Sequence, residues 1–275
     1  TDNMKKIIVM GATSGIGLQV AERLAQKGHM VGAAGRKHEV LKKLKKAYPD
    51  NIETEVIDIT ESDAPKKLGS LIKKLGGMDT YFHVAGVGYE NAAVNAKEDL
   101  QTVKTNVEGF VRMINTAFHF FKDRGHGGHI AAVTSVAGVR GIGPLAAYSA
   151  SKSFGQTYLE ALDQLSHNQH LGIKFTDVRP GWIRTPLLNP LQDYPMTMSL
   201  DYASPRIISS LRRPWRTTYV DCRWAVAAML MKLVPPCLWR RIRIPVYSLA
   251  NPAQAIANVK ETIAAEKVTK PDKLK

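Results

Sequence analysis

Short apolar runs alternate with amphipathic segments along most of this 275-residue chain. The apolar runs predict strands at 6–10, 30–34, 52–57, 80–84, just before Ser135, at 173–178 and at 217–220. The amphipathic segments predict helices at 16–27, from the second strand up to Pro49, and at 64–75, 97–122, 148–167 and 201–213.

Strands that alternate with helices of this length form parallel βαβ units, and right-handed crossovers place the helices on both faces of the sheet. We therefore predict an α/β fold, a single doubly wound Rossmann-type domain with a parallel sheet of about seven strands. No linker or repeat divides the chain, so the domain is expected to span 1–250, followed by a C-terminal tail at 251–275.

The charge balance is basic, with 38 Lys and Arg against 24 Asp and Glu, a formal charge of +14. Such an excess is typical of proteins that bind nucleic acids, membrane surfaces or phosphorylated ligands. No basic run is interleaved with aromatic residues as in a nucleic-acid module, so we expect no nucleic-acid partner.

The cysteines and apolar runs indicate a cytoplasmic location. Cys222 and Cys237 follow no metal or redox spacing, so we expect reduced thiols and no metal site. The apolar run at 7–10 is too short for a signal peptide, and the run at 225–239 is too short and too interrupted to span a bilayer.

A glycine-rich turn, GATSGIG, lies between the first predicted strand and the first helix. Glycines allow the backbone to approach a pyrophosphate, and a helix N-terminus offers it unpaired N–H donors. This turn predicts a dinucleotide site formed by Gly11, Thr13, Ser14, Gly15, Ile16 and Gly17.

The ends of the second and third strands bear on the choice of cofactor. Arg36 and Lys37 follow the second strand, where an NAD site usually has an acidic residue for the ribose 2′-hydroxyl. The missing acid and the two cations favour NADP(H). Asp58, followed by Ile59 after the third strand, could reach the adenine or cap the next helix, and the sequence leaves both open.

The stretch SVAGVRGIGPLAAYSASK, residues 135–152, brings three reactive side chains together. Tyr148 and Lys152 stand one helical turn apart and leave the same helix face. Ser135 follows a buried strand at the edge where open α/β sheets bind ligands. A hydroxyl, a phenol and an ammonium at one place can move a proton on or off an oxygen.

Taken together, these motifs resemble the short-chain dehydrogenase/reductase family over about residues 6–185. The glycine turn is similar to the family's TGxxxGIG, with Met10 where threonine is usual. YSASK matches the YxxxK motif, with Ser135 thirteen residues before Tyr148. Asn106, in KTNVEG, matches the asparagine of the family's catalytic tetrad.

The resemblance also extends to the cofactor loops. Where the family usually has NNAG, this chain has HVAG; Ala85 and Gly86 keep the close approach to the cofactor, and His83 is better interpreted as a core or bridging residue than as a catalytic one. By the same resemblance, the cofactor loop after the sixth strand contributes Pro180, Gly181, Ile183 and Thr185.

The resemblance implies hydride transfer between NADP(H) and a carbonyl or secondary alcohol. Tyr148 would act as general acid or base, and Lys152 would lower its pKa from about 10 and hold the nicotinamide ribose. Ser135 would bind the substrate oxygen, and Asn106 would hold a water next to Lys152. The alternatives are a 3-ketoacyl or hydroxysteroid-type reductase on a lipophilic substrate, a broad carbonyl reductase, and a nucleotide-binding protein without catalysis.

The partners follow from the family and from the C-terminal third. The resemblance implies a homodimer or homotetramer and a small-molecule substrate, with a loop at 185–201 over it. Residues 223–247 are apolar and basic, which is compatible with peripheral membrane contact. A helix packed on the sheet or a subunit interface is the interpretation we favour for them.

Overall fold

The computed structural model describes residues 4–188, 193–212 and 216–244, and the tail predicted at 251–275 lies outside the described residues. Seven parallel strands form one sheet in the order β3-β2-β1-β4-β5-β6-β7. The strands are β1 (Lys6–Met10), β2 (Met30–Gly35), β3 (Ile52–Val56), β4 (Thr80–His83), β5 (Gly128–Val133), β6 (Ile173–Arg179) and β7 (Thr217–Tyr219).

Helices connect the strands in chain order. They are α1 (Gly15–Gln26), α2 (His38–Ala47), α3 (Ala64–Leu75), α4 (Ala96–Val103), α5 (Phe110–Arg124), α6 (Ala146–Asn168), α7 (Leu200–Arg212), α8 (Cys222–Leu233) and α9 (Pro236–Trp239). None of the helices in the described ranges combines the length and the apolar character that crossing a membrane requires.

Two apolar layers cover the two faces of the sheet. On β1, Ile7 and Val9 belong to the layer that contains α1, α2 and α7, whereas Ile8 and Met10 belong to the layer of α3, α5 and α6. The alternation follows from the two-residue period of a strand, and burial on both sides explains the continuous apolar run of β1. The predicted doubly wound parallel sheet is confirmed.

The long helical region predicted at 97–122 is confirmed, but it contains a widened turn that the sequence did not predict. The chain forms α4, then a π-helical segment over Lys104–Gly109, and then α5. The wider turn lets Gly109 pack so close to Ile59 that an added Cβ would lie 2.9 Å from the Ile59 Cγ1 atom. A single widened turn leaves the apolar period of the flanking helices almost unchanged, so the sequence pattern does not reveal it.

Two helix ends also differ from the prediction. α2 ends at Ala47 rather than reaching Pro49 because Tyr48 precedes the proline, which disfavours a helical backbone there. α6 begins at Ala146, two residues before Tyr148, directly after a 3₁₀ turn at Gly143–Leu145. Tyr148 therefore lies in the first turn of α6 rather than at its start.

The strand order reverses between β1 and β4, which are adjacent in the sheet although two strands separate them in the chain. At such a switch point the connections leave in opposite directions and open a crevice at the carboxyl ends of the strands. The loops after β1, β4, β5 and β6 meet at this edge, and they carry the glycine turn, Gly86, Ser135 and Gly181.

Candidate active site

The glycine turn lies tightly against the neighbouring strands. The backbone N–H groups of Gly11 and Ala12 both donate to the Ala34 carbonyl of β2, at 2.9 and 2.8 Å. Gly11 has a φ of +103°, and a Cβ at this position would lie 2.7 Å from the Ala85 nitrogen. Only glycine allows this conformation together with such a close approach.

The N-terminus of α1 has its donors available. Ser14 is the N-cap residue, but its side chain accepts no capping hydrogen bond. A Cβ on Gly17 would clash with the Gly11 carbonyl, so the helix starts directly against the turn. A helix N-terminus with uncapped N–H groups beside a glycine turn fits the pyrophosphate of a dinucleotide.

Arg36, Lys37 and Asp58 lie together after β2 and β3. The Arg36 side chain is 64% exposed, and its guanidinium lies 3.9 Å from the Asp58 carboxylate. Lys37 occupies the exposed N-cap position of α2 without a side-chain capping bond. Two cations at the edge of the crevice match the charge of a ribose 2′-phosphate.

Asp58 does not cap the helix that follows it, so that alternative is wrong. The N-cap residue of α3 is Asp63, whereas Asp58 accepts hydrogen bonds from the Thr60 backbone and hydroxyl, at 3.0 and 2.8 Å. Burial alone raises the pKa of Asp58, but these hydrogen bonds and Arg36 together hold it below its usual value. The side chain of the neighbouring Ile59 is buried in the core.

Ser135, Tyr148 and Lys152 line one cavity. The Ser135 hydroxyl accepts from the Ala137 N–H at 3.1 Å and donates to the Pro180 carbonyl at 3.5 Å. The Lys152 ammonium lies 5.6 Å from the centroid of the Tyr148 ring and donates to the Val133 carbonyl at 3.0 Å. The strand end and the α6 face therefore bring the three predicted side chains together.

The protonation of this group differs from the sequence-based expectation. Burial raises the pKa of Tyr148, and the neighbouring Ser135 hydroxyl opposes the rise only in part. Burial lowers the pKa of Lys152 to about 8, against the attraction of Asp177. We expected Lys152 to lower the pKa of Tyr148; instead, burial raises it, and the group that opposes the rise is the Ser135 hydroxyl.

Asn106 braces the cofactor loop from the π-helical segment. Its side chain donates to the Val87 carbonyl at 2.7 Å and to the Ser151 hydroxyl at 3.1 Å, and accepts from the Val87 N–H at 2.8 Å. A Cβ on Gly86 would lie 3.2 Å from its Oδ1 and 3.5 Å from the Lys152 ammonium. The backbone at Gly86 therefore lies between the Asn106 and Lys152 side chains.

His83 is a core residue, as the sequence favoured. Its Nδ1 lies 3.0 Å from the Tyr81 hydroxyl, and its ring meets Phe110 edge-on, with centroids 5.0 Å apart. Burial, assisted by the charge of Lys152, lowers the pKa of His83 to about 3. The imidazole is therefore neutral at neutral pH.

The cavity has a volume of about 350 Å³ and a predominantly apolar wall. The predicted cofactor residues Ile16, Gly86, Pro180, Gly181, Ile183 and Thr185 line it together with the three reactive side chains. Among the described residues that line it, Lys152 is the one charged side chain.

Much of the wall was missed by sequence reasoning. It comprises Ile142, Leu145, Trp182, Leu187, Leu188, Trp224, Met231, Trp239 and Ile244. The concentration of tryptophans and aliphatic residues after Pro180 was the available signal, but their common target depends on tertiary packing. A Cβ on Gly181 would clash with the Trp224 ring. The absence of a side chain at Gly181 therefore leaves room for the Trp224 ring in the cavity wall.

The loop predicted at 185–201 lies beside the cavity in its described parts. Leu188 and Tyr194 pack with Leu145 in a small cluster that also contacts Tyr148. The Trp182 ring lies against Tyr194, with centroids 4.8 Å apart.

Residues 5–195 match the family described as short chain dehydrogenase. This chain belongs to that family. The match includes the glycine turn, the loop after β4, and the Ser135, Tyr148 and Lys152 positions, which are the parts that the structure gathers at the switch point.

The individual relatives are all named as oxidoreductases or dehydrogenases, but their names give different substrates or none. An uncharacterised oxidoreductase of Mycobacterium tuberculosis is 29% identical over 86% of this chain and 96% of its own length. An NADP-dependent 3-hydroxy acid dehydrogenase of Escherichia coli is 31% identical over 64% of this chain and 72% of its own. A serine dehydrogenase solved in its closed form with NADP⁺ has a TM-score of 0.69 at 25% identity, covering 78% of this chain and 93% of that one.

The lowered pKa of Lys152 has a measurable effect on stability. Between about pH 8 and 10.5, the unfolded chain holds a proton on this side chain that the folded chain has lost. Without nucleotide, the free energy of unfolding of the wild type should therefore rise with pH relative to Lys152→Met, by up to about 1.4 kcal/mol per pH unit. Below pH 8 the difference should be flat.

Urea titrations at several pH values measure this difference, and the exposed Lys42→Met serves as the control, for which no pH-dependent difference is expected. Equal pH dependence of wild type and Lys152→Met would contradict the lowered pKa.

Proposed function

We propose that this protein is an NADP(H)-dependent oxidoreductase that transfers a hydride between nicotinamide and the carbonyl or secondary alcohol carbon of an uncharged, apolar substrate. The observation that carries the proposal is the group Ser135, Tyr148 and Lys152 at the wall of an apolar cavity beside the glycine turn. Catalysis in either direction needs a proton donor or acceptor at the reacting oxygen, and Tyr148 is suited to be that group.

The cofactor would lie along the crevice at the strand ends. The turn Gly11–Gly17 would hold the pyrophosphate, Arg36 and Lys37 the 2′-phosphate, and the loops with Gly86, Gly181 and Thr185 the nicotinamide half. The reduced nicotinamide, when bound, supplies the hydride. Two relatives named for NADP, or solved with NADP⁺, support this choice of cofactor.

Proton transfer is the part that this chain's own residues perform. As negative charge develops on the substrate oxygen, the Tyr148 hydroxyl donates its proton to that oxygen while the Ser135 hydroxyl stabilises it by a hydrogen bond. The raised pKa of Tyr148 keeps the phenol protonated at neutral pH, which suits an acid in the reductive direction. Acting as a base for oxidation would require the opposite shift.

Lys152 and Asn106 would restore the proton. With a pKa of about 8, Lys152 is still largely protonated at neutral pH and lies next to Tyr148. The Asn106 Oδ1 has capacity for a second donor on the far side of Gly86. A water held there would connect the Lys152 ammonium to solvent.

The cavity wall narrows the substrate class. Placing a carboxylate in an apolar cavity costs free energy unless a cation or several donors meet it. Lys152, the one charged side chain in the described wall, lies beside Tyr148 and is needed to return its proton. An uncharged substrate is therefore favoured over the hydroxy acid for which the Escherichia coli relative is named.

A lipophilic ketoacyl or hydroxysteroid-type substrate is the closest alternative and uses the same site. A nucleotide-binding protein without catalysis is less well supported, because the tyrosine and lysine needed for chemistry are both in the cavity.

Replacing Tyr148 by phenylalanine should abolish proton donation and leave the shape of the cavity almost unchanged. We expect NADPH-dependent reduction of a bulky aryl ketone to fall by about 10²–10⁴-fold. The affinity for NADPH, measured by fluorescence titration, should change by less than about twofold. Tyr158→Phe removes a phenol from a neighbouring part of α6 and is the matched control. Turnover that survives Tyr148→Phe would exclude the proposed acid.

The cofactor preference can be tested by Arg36→Ala with Lys37→Ala. Loss of two cations from a phosphate site should weaken NADPH binding by roughly 10–100-fold, since charge-assisted hydrogen bonds are among the stronger polar contacts. Binding of NADH should change little.

Lys42→Ala with Lys43→Ala removes the same charge from the exposed face of α2 and should alter neither affinity. If NADPH and NADH bind the wild type equally well, the two cations do not select the cofactor.

A further inference from the structure

One segment next to the cavity exposes an unusual number of large apolar side chains. We call residues 222–244, which contain α8 and α9, the C-terminal segment. Of the fifteen large apolar side chains exposed in the described residues, six lie here: Val226, Met229, Leu230, Leu233, Leu238 and Ile242. Leu230 and Leu233 are 55% and 70% exposed. Such a concentration indicates an interaction surface.

The inner side of the same segment forms part of the cavity wall. Trp224, Met231, Trp239 and Ile244 line the cavity from this side. The apolar interior of the site and the apolar exterior of the molecule are thus separated by one layer of the C-terminal segment.

Specific contacts fix the C-terminal segment to the rest of the fold. Its outer face is therefore exposed although the segment itself is packed. The Asp221 carboxylate caps α8, accepting from the Arg223 N–H at 2.8 Å. The Trp239 Nε1 donates to the Gly141 carbonyl at 2.8 Å. Arg140 donates to the Val234 carbonyl, and its guanidinium lies 5.5 Å from the centroid of the Trp239 ring.

The charge of the segment is entirely positive. It contains five cations and no acidic residue; the cations are Arg223, which is paired with the adjacent Asp221 carboxylate at 2.7 Å, and Lys232, Arg240, Arg241 and Arg243. All five are exposed. Arg240, Arg241 and Arg243 follow α9 directly, beside the exposed Leu238 and Ile242.

The exposed apolar side chains and the cations together favour a lipid surface over a second copy of the chain as the partner of this face. In a two-fold dimer the same surface meets itself, so the cations of one copy would lie against those of the other with no acid in the segment to pair them. An anionic lipid surface complements both properties, because its phosphates attract the arginines and its acyl region accepts the apolar side chains.

We propose that the C-terminal segment docks on an anionic lipid surface, so that an apolar substrate enters the cavity directly from the lipid. The docking does not depend on the proposed function, since binding to lipid needs neither cofactor nor turnover, whereas the entry of an apolar substrate rests on that function.

The test is flotation of the full chain with vesicles of phosphatidylcholine and phosphatidylglycerol in equal parts. We expect binding that falls in high salt and falls on pure phosphatidylcholine vesicles. Leu230→Glu with Leu233→Glu, and separately Arg240→Glu with Arg241→Glu, should each lower the partition coefficient by at least about tenfold.

The matched control is Lys42→Glu with Lys43→Glu, which makes the same charge change as the arginine pair. These lysines lie on α2, beside β3 at the opposite edge of the sheet from β7. The control should change the partition coefficient by less than about twofold, because Lys42 and Lys43 lie too far from the C-terminal segment to contact the docked lipid surface. Circular dichroism and thermal melts verify that each variant is folded.

Three results would overturn the proposal. The first is no binding of the wild type to anionic vesicles. The second is an equal loss in the α2 control, which would indicate diffuse attraction by net charge. The third is that Leu230→Glu with Leu233→Glu dissociates an oligomer in size-exclusion chromatography while vesicle binding is unchanged, which would make this face an interface between copies.

Discussion

The close approach of the backbone at Gly11 to that at Ala85 is the constraint on which the site depends. Val84 and Ala85 donate their N–H groups to the Met10 carbonyl at 2.8 and 2.9 Å, which fixes the loop after β4 to the end of β1. Only a residue without a Cβ allows this contact at the switch point of the sheet. The contact between Gly11 and Ala85 places the N-terminus of α1 on one side of the crevice and the loop with Gly86 on the other.

Burial of Tyr148 and Lys152 lowers the stability of the folded state. A lysine whose pKa falls to about 8 and a phenol whose pKa rises both indicate charge that burial disfavours. Active sites commonly carry such a cost, because the same desolvation strengthens hydrogen bonds to a developing alkoxide. The hydrogen bond from the Ala137 N–H to the Ser135 hydroxyl and the contact of Lys152 with the Val133 carbonyl hold these two side chains in place.

The local parts of the fold could be predicted because their signals are local. The bounds of α3 agree with the prediction at both ends, since Pro65 favours a helix start and Gly76 takes the left-handed conformation that ends it. The apolar wall could not be predicted, because it joins residues as distant in the chain as Ile16 and Ile244. The shift in the Tyr148 pKa has the same origin, since it is set by the desolvation that this wall produces.

We propose that the chain reduces uncharged apolar ketones with a hydride from NADPH. The most direct test is a competition in one reaction between a bulky aryl ketone and its analogue that carries a carboxylate. NADPH that carries deuterium at both C4 positions of the nicotinamide is the reductant, and mass spectrometry measures the label in each product. We predict deuterium at the carbinol carbon of the product from the uncharged ketone, with little label in the hydroxy acid. Label mainly in the hydroxy acid, or in neither product, would contradict the account.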